Sequence, residues 1–429
     1  MNVYRHPSPD EWPKILSRPQ LDTTQLEKSV GDILQTVRRE GDRALRKYTA
    51  QFDQVDIEAV EVSPEEIAAA DGNISASLKE AIDLAHDNIE RFHARQLQPA
   101  EIVETMPGVK CWRKMVPIEK VGLYIPGGSA PLFSTVLMLG VPARMAGCRE
   151  VVLCSPPNAD RSLHPAILYA AQITGIHRIF RVGGVQAIGA MAYGTESVPG
   201  VYKIFGPGNQ YVTAAKQMVA RDGLAIDMPA GPSEVLVFAD DSARPDFAAA
   251  DLLSQAEHGP DSQVVLVCLE EKFAERVREE IEQQLENLPR KEIAGEALKN
   301  SAAVVLKSTD EAVALINAYA PEHLILACRK PNYLADGIYN AGSVFLGHYS
   351  PESVGDYASG TNHTLPTGGY ARSYSGVSVD SFVKKITYQQ LSPEGLKNLG
   401  PSVEEMAEAE ELIAHKRAIS VRLDALKEK

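Results

Sequence analysis

What this sequence lacks narrows its function before any motif is considered. No run of Lys and Arg forms a basic stripe, and the net charge is −14, so nucleic acid and anionic membranes are poorly suited as partners. No apolar run approaches the ~20 residues that span a bilayer. The opening stretch MNVYRHPSPDEWPKIL has neither the basic nor the apolar block of a secretory signal. Cysteine is scarce. Cys111, Cys148, Cys154, Cys268 and Cys328 form no C-x-x-C pair, which argues against a thiolate zinc knuckle or a redox dithiol. Reduced thiols in a cytoplasmic, soluble protein are expected.

What is present is globular. The chain has 429 residues, 44% of them apolar and 23% charged, enough for two or three domains with a sizeable core. Residues up to about Leu97 read as amphipathic helices, with apolar positions at three- and four-residue spacing. His86 and His93 lie two turns apart on one of them and are expected to be packing or surface residues. From about Gly108 the pattern alternates between strand and helix: VGLYIPGG, APLFSTVLMLGVPARMAG, EVVLCSPP, IHRIFRVGG, KIFGPGN. A second alternating set follows, from EVLVFAD to AGSVFLG. Two α/β units of similar build, each with a parallel sheet, are expected. After Asp380 the pattern reads as helical. Its charged last helix is of the kind that packs on a neighbouring subunit or caps its own domain.

Three glycine turns, IPGGSAP, VGGVQAIG and FGPGNQYV, lie between a strand and a helix. Backbone N–H groups at a helix N-terminus favour an anionic ligand, although glycine also serves such turns for steric reasons alone. None is a G-x-G-x-x-G with an acidic residue on the next strand. Four polar sites stand out in the second half. LLSQAEHGPDS carries Gln255 and His258 at i, i+3, hence on one helix face. YAPEHLIL carries Glu322 and His323 after a helix-ending proline. The loop SPESVGDYASGTNHTLPTGG carries Asp356 and His363, and it follows a strand whose carboxyl end is the usual place for ligand groups. The tail carries Glu410 and His415. Gln255, His258, Asp356 and a distant His would suit zinc or a similar dication. On spacing alone a solvated helix end ranks ahead of a metal site.

Longer runs add a resemblance. DMPAGPSEVLVFADDSARPDFAAADLLSQAEHGPDSQV, VGLYIPGGSAPLFSTVLMLGVPA, VGGVQAIGAMAYGTESVP, KIFGPGNQYV, YAPEHL and AGSVFLGHYSPESVGDYASGTNHTLPT closely resemble histidinol dehydrogenase, from about Leu21 to the end. The resemblance implies NAD-dependent oxidation of L-histidinol to L-histidine through the aldehyde. It implies one zinc per subunit on Gln255, His258, Asp356 and His415, the last ligand crossing a homodimer interface. It implies Glu322 and His323 as the catalytic pair, and NAD contacts at Tyr124, Gln186 and Asn209. Substrate contacts fall on Ser233, Glu410, the catalytic pair and the zinc ligands. Two Rossmann-like domains follow: 22–124 with 235–380, carrying most of the zinc and catalytic site, and 125–234, carrying the NAD loops. A helical arm (1–21) precedes them, and a helical dimerisation tail (381–429) follows.

In the chemistry this implies, His323 takes the alcohol proton and Glu322 activates water on the aldehyde. Pro321 is expected to set a bend that lets neighbouring side chains serve one substrate. Zinc holds the substrate's imidazole and amine. A thiohemiacetal through Cys148 or Cys154 ranks below direct hydration, because both flank an apolar strand. A related zinc and NAD enzyme acting on another polar alcohol, such as a sulfonated diol, is the nearest rival. A zinc hydrolase and a non-catalytic dimeric scaffold lie further off.

Overall fold

The computed structural model describes residues 1–19, 23–127, 130–229 and 231–427. The expected boundary at 21–22 and part of the IPGGSAP turn lie outside the described residues. Among these residues the strands are β1 (Asn2–Arg5), β2 (Ile102–Met106), β3 (Val109–Pro117), β4 (Lys120–Tyr124), β5 (Glu150–Ser155), β6 (Arg178–Arg181), β7 (Lys203–Phe205), β8 (Ala225–Ile226), β9 (Glu234–Ala239), β10 (Gln263–Cys268), β11 (Ala302–Val305), β12 (His323–Ala327), β13 (Ser343–Leu346) and β14 (Val383–Leu391). The chain divides into two units, Met1–Gln96 with Ile118–Phe382, and Leu97–Pro117 with Val383–Lys429.

The first unit holds two parallel sheets. One runs β6-β5-β4-β7-β8 and the other β1-β11-β10-β9-β12-β13. Apart from β1, each follows the same rule: the first strand of the set lies in the middle, the next two go to one side, and the last two to the other. This is the 3-2-1-4-5 order of a Rossmann half. The apolar runs EVLVFA, QVVLVC and HLILA become β9, β10 and β12, and every residue in them is buried. Continuous apolar strands of this kind need helices on both faces of the sheet. Helix Pro245–Ala256 covers one face, placing Ala248, Ala249, Leu252 and Leu253 against Val235, Val237 and Val264. Burial of each such Leu or Val stabilises the fold by about 1.5–3 kcal/mol.

Two features differ from the sequence reading. First, the early helices were grouped with 235–380, but they pack on the five-stranded sheet. Val30, Leu34 and Val37 of helix Thr23–Glu40 share a core with Val152, Phe180 and Ile188. Gly189 makes this approach close, since a Cβ there would stand 3.2 Å from the Leu34 side chain. Second, the chain opens on β1, which pairs parallel with β11 before the short helical turns Pro9–Glu11 and Trp12–Ile15.

The second unit is an antiparallel sheet, β14-β3-β2, followed by helices Pro393–Ala409 and Ile413–Lys427. The sequence reading called everything after Asp380 helical. β14, VKKITYQQL, escaped it because its residues are almost all exposed, so no buried face imposes an apolar alternation. The strand is held instead by its ladder to β3 and by Tyr388 stacked on Trp112 at 5.4 Å. The two helices of this unit meet at Gly400, where a Cβ would lie 3.0 Å from the Leu423 side chain.

Candidate active site

Helix Pro245–Ala256 starts with Pro at its first position and ends before Gly259-Pro260. Gln255 sits in its last turn and is wholly buried. His258 lies just past the helix end, its N–H bonded to the Gln255 carbonyl at 3.2 Å, and its side chain is exposed. The two are therefore not on one helix face, yet both line the same cavity of about 310 Å³. Ser233, Asn209, Glu322, His323, Asp356 and His363 line it too.

Glu322 and His323 enter at the amino end of β12. The bend before them falls at Ala320, whose φ of 55° is left-handed, one residue ahead of the proline expected to make it. It brings the neighbouring side chains together: His323 Nδ1 is 3.6 Å from Glu322 Oε2. Nδ1 also faces the Glu234 carbonyl at 3.3 Å and Glu352 Oε1 at 3.8 Å. Glu352 and Asp356 are i, i+4 on the short helix Glu352–Tyr357 and so share a face. His323 Nε2 lies 3.4 Å from Asp356 Oδ1. The loop expected at the carboxyl end of β13 thus delivers its acids to the amino end of β12.

The surrounding charges are strongly coupled. Burial raises the Glu322 carboxyl to about 8, with Glu234 and Asp356 pushing the same way and His323 opposing. Burial also disfavours a charged His323 ring, but Glu352, Glu322 and Asp356 outweigh it and hold its pKa well above the usual histidine range. Glu352 is pushed far up by burial. Asp356 stays low because the neighbouring histidines overcome its burial. Such a group exchanges protons as a unit rather than residue by residue.

Two clusters among the described residues have the donors for a metal ion: His323 with Glu352 and Asp356, and His86 with Asp87 and Glu90. The second already has a cation, since Arg144 contacts His86 Nε2 at 3.2 Å and Glu90 at 2.8 Å. His86 and His93 are accordingly surface and packing residues, His93 bonding the Ile89 carbonyl at 2.9 Å. In the first cluster, Asp356 Oδ1 and His323 Nε2 are buried with no hydrogen-bond partner. Gln255, with its amide turned as its neighbours require, donates to Glu352 and accepts from the Glu234 N–H at 3.2 Å. That leaves its oxygen a second lone pair. A buried acid with an unused oxygen, a histidine and an amide oxygen on one cavity fit a zinc ion. Glu410 and His415 belong to the second unit, at the corner between its two helices, and both are exposed.

At the other sheet, Tyr124 ends β4 and its hydroxyl accepts from the Gly184 N–H at 3.1 Å. Gly183 gives helix Gly184–Tyr193 no side-chain cap. Gln186, in the first turn, is 1% exposed, and both atoms of its amide lack partners. Asn209 caps helix Gln210–Arg221, accepting from Tyr211 and Val212 N–H at 3.1 Å each. Its amide nitrogen takes no part in the cap. An uncapped helix N-terminus beside an orphaned amide fits a dinucleotide.

The chain matches the histidinol dehydrogenase family over residues 16–423. Histidinol dehydrogenase from Bacteroides thetaiotaomicron is 60% identical over 427 residues, covering 100% of both chains. That from Salmonella typhimurium is 54% identical over 98% of this chain and 97% of its own. The crystal structure of histidinol dehydrogenase from Elizabethkingia anophelis superposes with a TM-score of 0.97 at 55% identity, covering 100% of this chain and 99% of that one. This chain belongs to the histidinol dehydrogenase family.

Several groups around the histidinol dehydrogenase-like site were not singled out in the sequence. Glu234 opens an otherwise apolar strand, and its carboxylate binds Arg18 Nε at 2.6 Å and the Gly368 N–H at 2.6 Å. A charged residue inside a fully buried strand was the available signal. Glu352 is fully buried among these acids. Lys216 and Asp227 form a buried ion pair at 2.5 Å, and both bond the backbone of Gly206, at 2.8 Å each. They clamp the FGPGN turn, a link that helical spacing cannot reveal. Cys154 is wholly buried and its thiol is driven above the usual range, as is that of Cys148, to about 12. Neither lines the cavity, so nothing favours a thiol route.

Proposed function

We propose that this protein oxidises L-histidinol to L-histidine with NAD as the acceptor, through the aldehyde. One observation carries the reading: the Glu322–His323 pair at the head of β12 opens on the same cavity as Asn209, at the carboxyl end of β7. A proton acceptor and a dinucleotide-type loop therefore face one small space.

The first step removes the hydroxyl proton of the alcohol. The Glu234 carbonyl beside Nδ1 favours a proton there, which leaves Nε2 as the atom that receives it. For the second step the aldehyde adds water. Glu322, with a carboxyl raised to about 8, is suited to taking that water's proton near neutral pH. Tyr124, Gln186 and Asn209 would hold NAD, which would supply the hydride acceptor for both steps. Gln255, His258, Asp356 and a second copy's His415 would hold a zinc ion, whose fixed positive charge would orient the substrate and disfavour a proton on His323. Ser233 and Glu410 complete the substrate contacts. A homodimer is supported by the exposed Met406, Leu412, Ile413 and Val421 of the second unit. No helix among the described residues is long and apolar enough to cross a membrane, and a cytoplasmic, soluble dimer is the proposed state.

The test is NADH formation on adding histidinol to zinc-loaded protein, alongside a sulfonated diol. Two NADH per histidinol, lost on chelation and restored by zinc, is the expected result. Turnover of the diol alone would replace histidinol as the substrate.

A further inference from the structure

The five-stranded sheet has the strand order of a dinucleotide-binding half but lacks its acidic residue. In that fold a carboxylate about twenty residues past the glycine turn holds the adenosine ribose and disfavours a 2′-phosphate. Here the second strand, β5, ends in Cys154 and Ser155, with Pro156 next and no acid at its end; the first acid beyond it, Asp160, is taken up by the N–H and hydroxyl of Ser162. A carboxylate arrives from outside the sheet instead. Helix Asp42–Tyr48 runs into a single π-helical turn, Thr49–Asp53, closed by Gln54 at a left-handed φ of 58°. Turns of this kind are rare and concentrate at functional sites. Asp53, at its end, has a buried Oδ2 with no partner, and Thr49 Oγ1 in the same turn is orphaned too. Tyr48 and Val55, which flank this turn, share a core with Tyr124, and the Asp53 charge adds to the burial that raises the Tyr124 phenol. Burial lifts its own carboxyl to about 6, with no cation opposing it. An uncompensated, half-buried acid of this sort calls for a partner that the described chain does not supply.

Its position selects the partner. Asn209, after β7, lines the His323 cavity, whereas Tyr124 and Gln186 do not. Across the strand order, β7 lies on one side of β4, and β5 and β6 lie on the other. The Gly184 N–H binds the Tyr124 hydroxyl, and Gln186 follows β6. A dinucleotide with its reacting ring toward His323 therefore places its remote half near Tyr124, Gln186 and Asp53. We infer that Asp53 accepts hydrogen bonds from the adenosine ribose hydroxyls and makes this enzyme select NAD over NADP. This rests on the reading of Tyr124 and Gln186 as dinucleotide contacts.

The experiment is calorimetric binding of NAD, NADP, ADP-ribose and nicotinamide mononucleotide to the whole zinc-loaded enzyme, for wild type, Asp53→Asn, Asp53→Ala and Gln186→Ala. Thermal melting checks that each variant is folded. Charge-assisted hydrogen bonds of this type change affinity by roughly ten- to a hundred-fold. Both Asp53 variants are expected to weaken NAD and ADP-ribose by about tenfold or more, to narrow the NAD-to-NADP preference, and to leave the mononucleotide unchanged. Unchanged NAD affinity and unchanged preference in both folded Asp53 variants, with NAD weakened in Gln186→Ala, would overturn the role of Asp53 alone. A wild-type enzyme that binds no NAD, or Gln186→Ala that binds it undiminished, would overturn the underlying reading and this proposal with it.

Discussion

The two parallel sheets of the first unit share a strand order and differ in which end carries polar groups left unsatisfied. In the five-stranded sheet those groups lie at the carboxyl ends: Ser155 at the end of β5 and Gln186 after β6 have no partners. That is where open α/β sheets place ligands. In the six-stranded sheet they lie at the amino ends, with His323 Nε2 at the head of β12 and Asp356 Oδ1 against it. At the carboxyl ends of β9 and β12 the acidic groups are instead paired locally. Asp240 accepts from Ser242 N–H at 2.9 Å and Arg329 N–H at 3.0 Å, and Arg329 pairs with Asp241 at 2.5 Å. Topology names the crevice where a ligand could sit. The hydrogen-bond inventory says which end has been left open for one.

The comparison breaks most visibly at His323. His323→Ala is expected to lower kcat on histidinol by about 10²–10⁴, the range for losing a positioned acid–base group; steady-state kinetics on the folded variant measures it. A loss below about threefold would place the chemistry elsewhere. The five-stranded sheet depends on the clamped FGPGN turn. Lys216→Met leaves Asp227 buried and unpaired and is expected to cost about 3–5 kcal/mol in denaturant unfolding. A neutral result would mean that the turn holds itself. Gln186→Ala should weaken NAD about tenfold while zinc content stays at wild type, since its orphaned amide does not line the cavity of His323 and Asp356. The smallest effect belongs to the carboxyl ends of β9 and β12. Asp241→Ala removes an exposed ion pair and is expected to change stability by less than about 1 kcal/mol, with kcat/KM unchanged. A large loss of activity there would mean that the six-stranded sheet uses both ends.

Much of this was legible in the sequence, for identifiable reasons. Apolar runs such as QVVLVC fix buried parallel strands, and the alternation of strand and helix fixes two α/β units. Gln255, Glu322, His323 and Asp356 were named from polar clusters at helix ends and from family likeness, and they do meet in one cavity. His258 was placed on the helix face but lies past its end, because Ala256 is the last helical residue. The end of the sheet that would be used was not legible, since it depends on the path of the 347–379 loop rather than on spacing. Nor was the packing of the early helices, because an amphipathic stripe says that a face is buried and not against which sheet. Lys216 and Asp227 were hidden for the same reason: a buried ion pair looks like two ordinary surface charges until the fold closes around them.

The central claim is that the amino end of β12 carries both steps, with His323 serving the alcohol and Glu322 the hydration of the aldehyde. The most direct measurement is the rate of NADH formation by His323→Ala and Glu322→Ala with histidinol and with histidinal in parallel. His323→Ala is predicted to lose most on histidinol and Glu322→Ala most on histidinal, so that the ratio of the two rates moves in opposite directions. Equal losses on both substrates in both variants would contradict it.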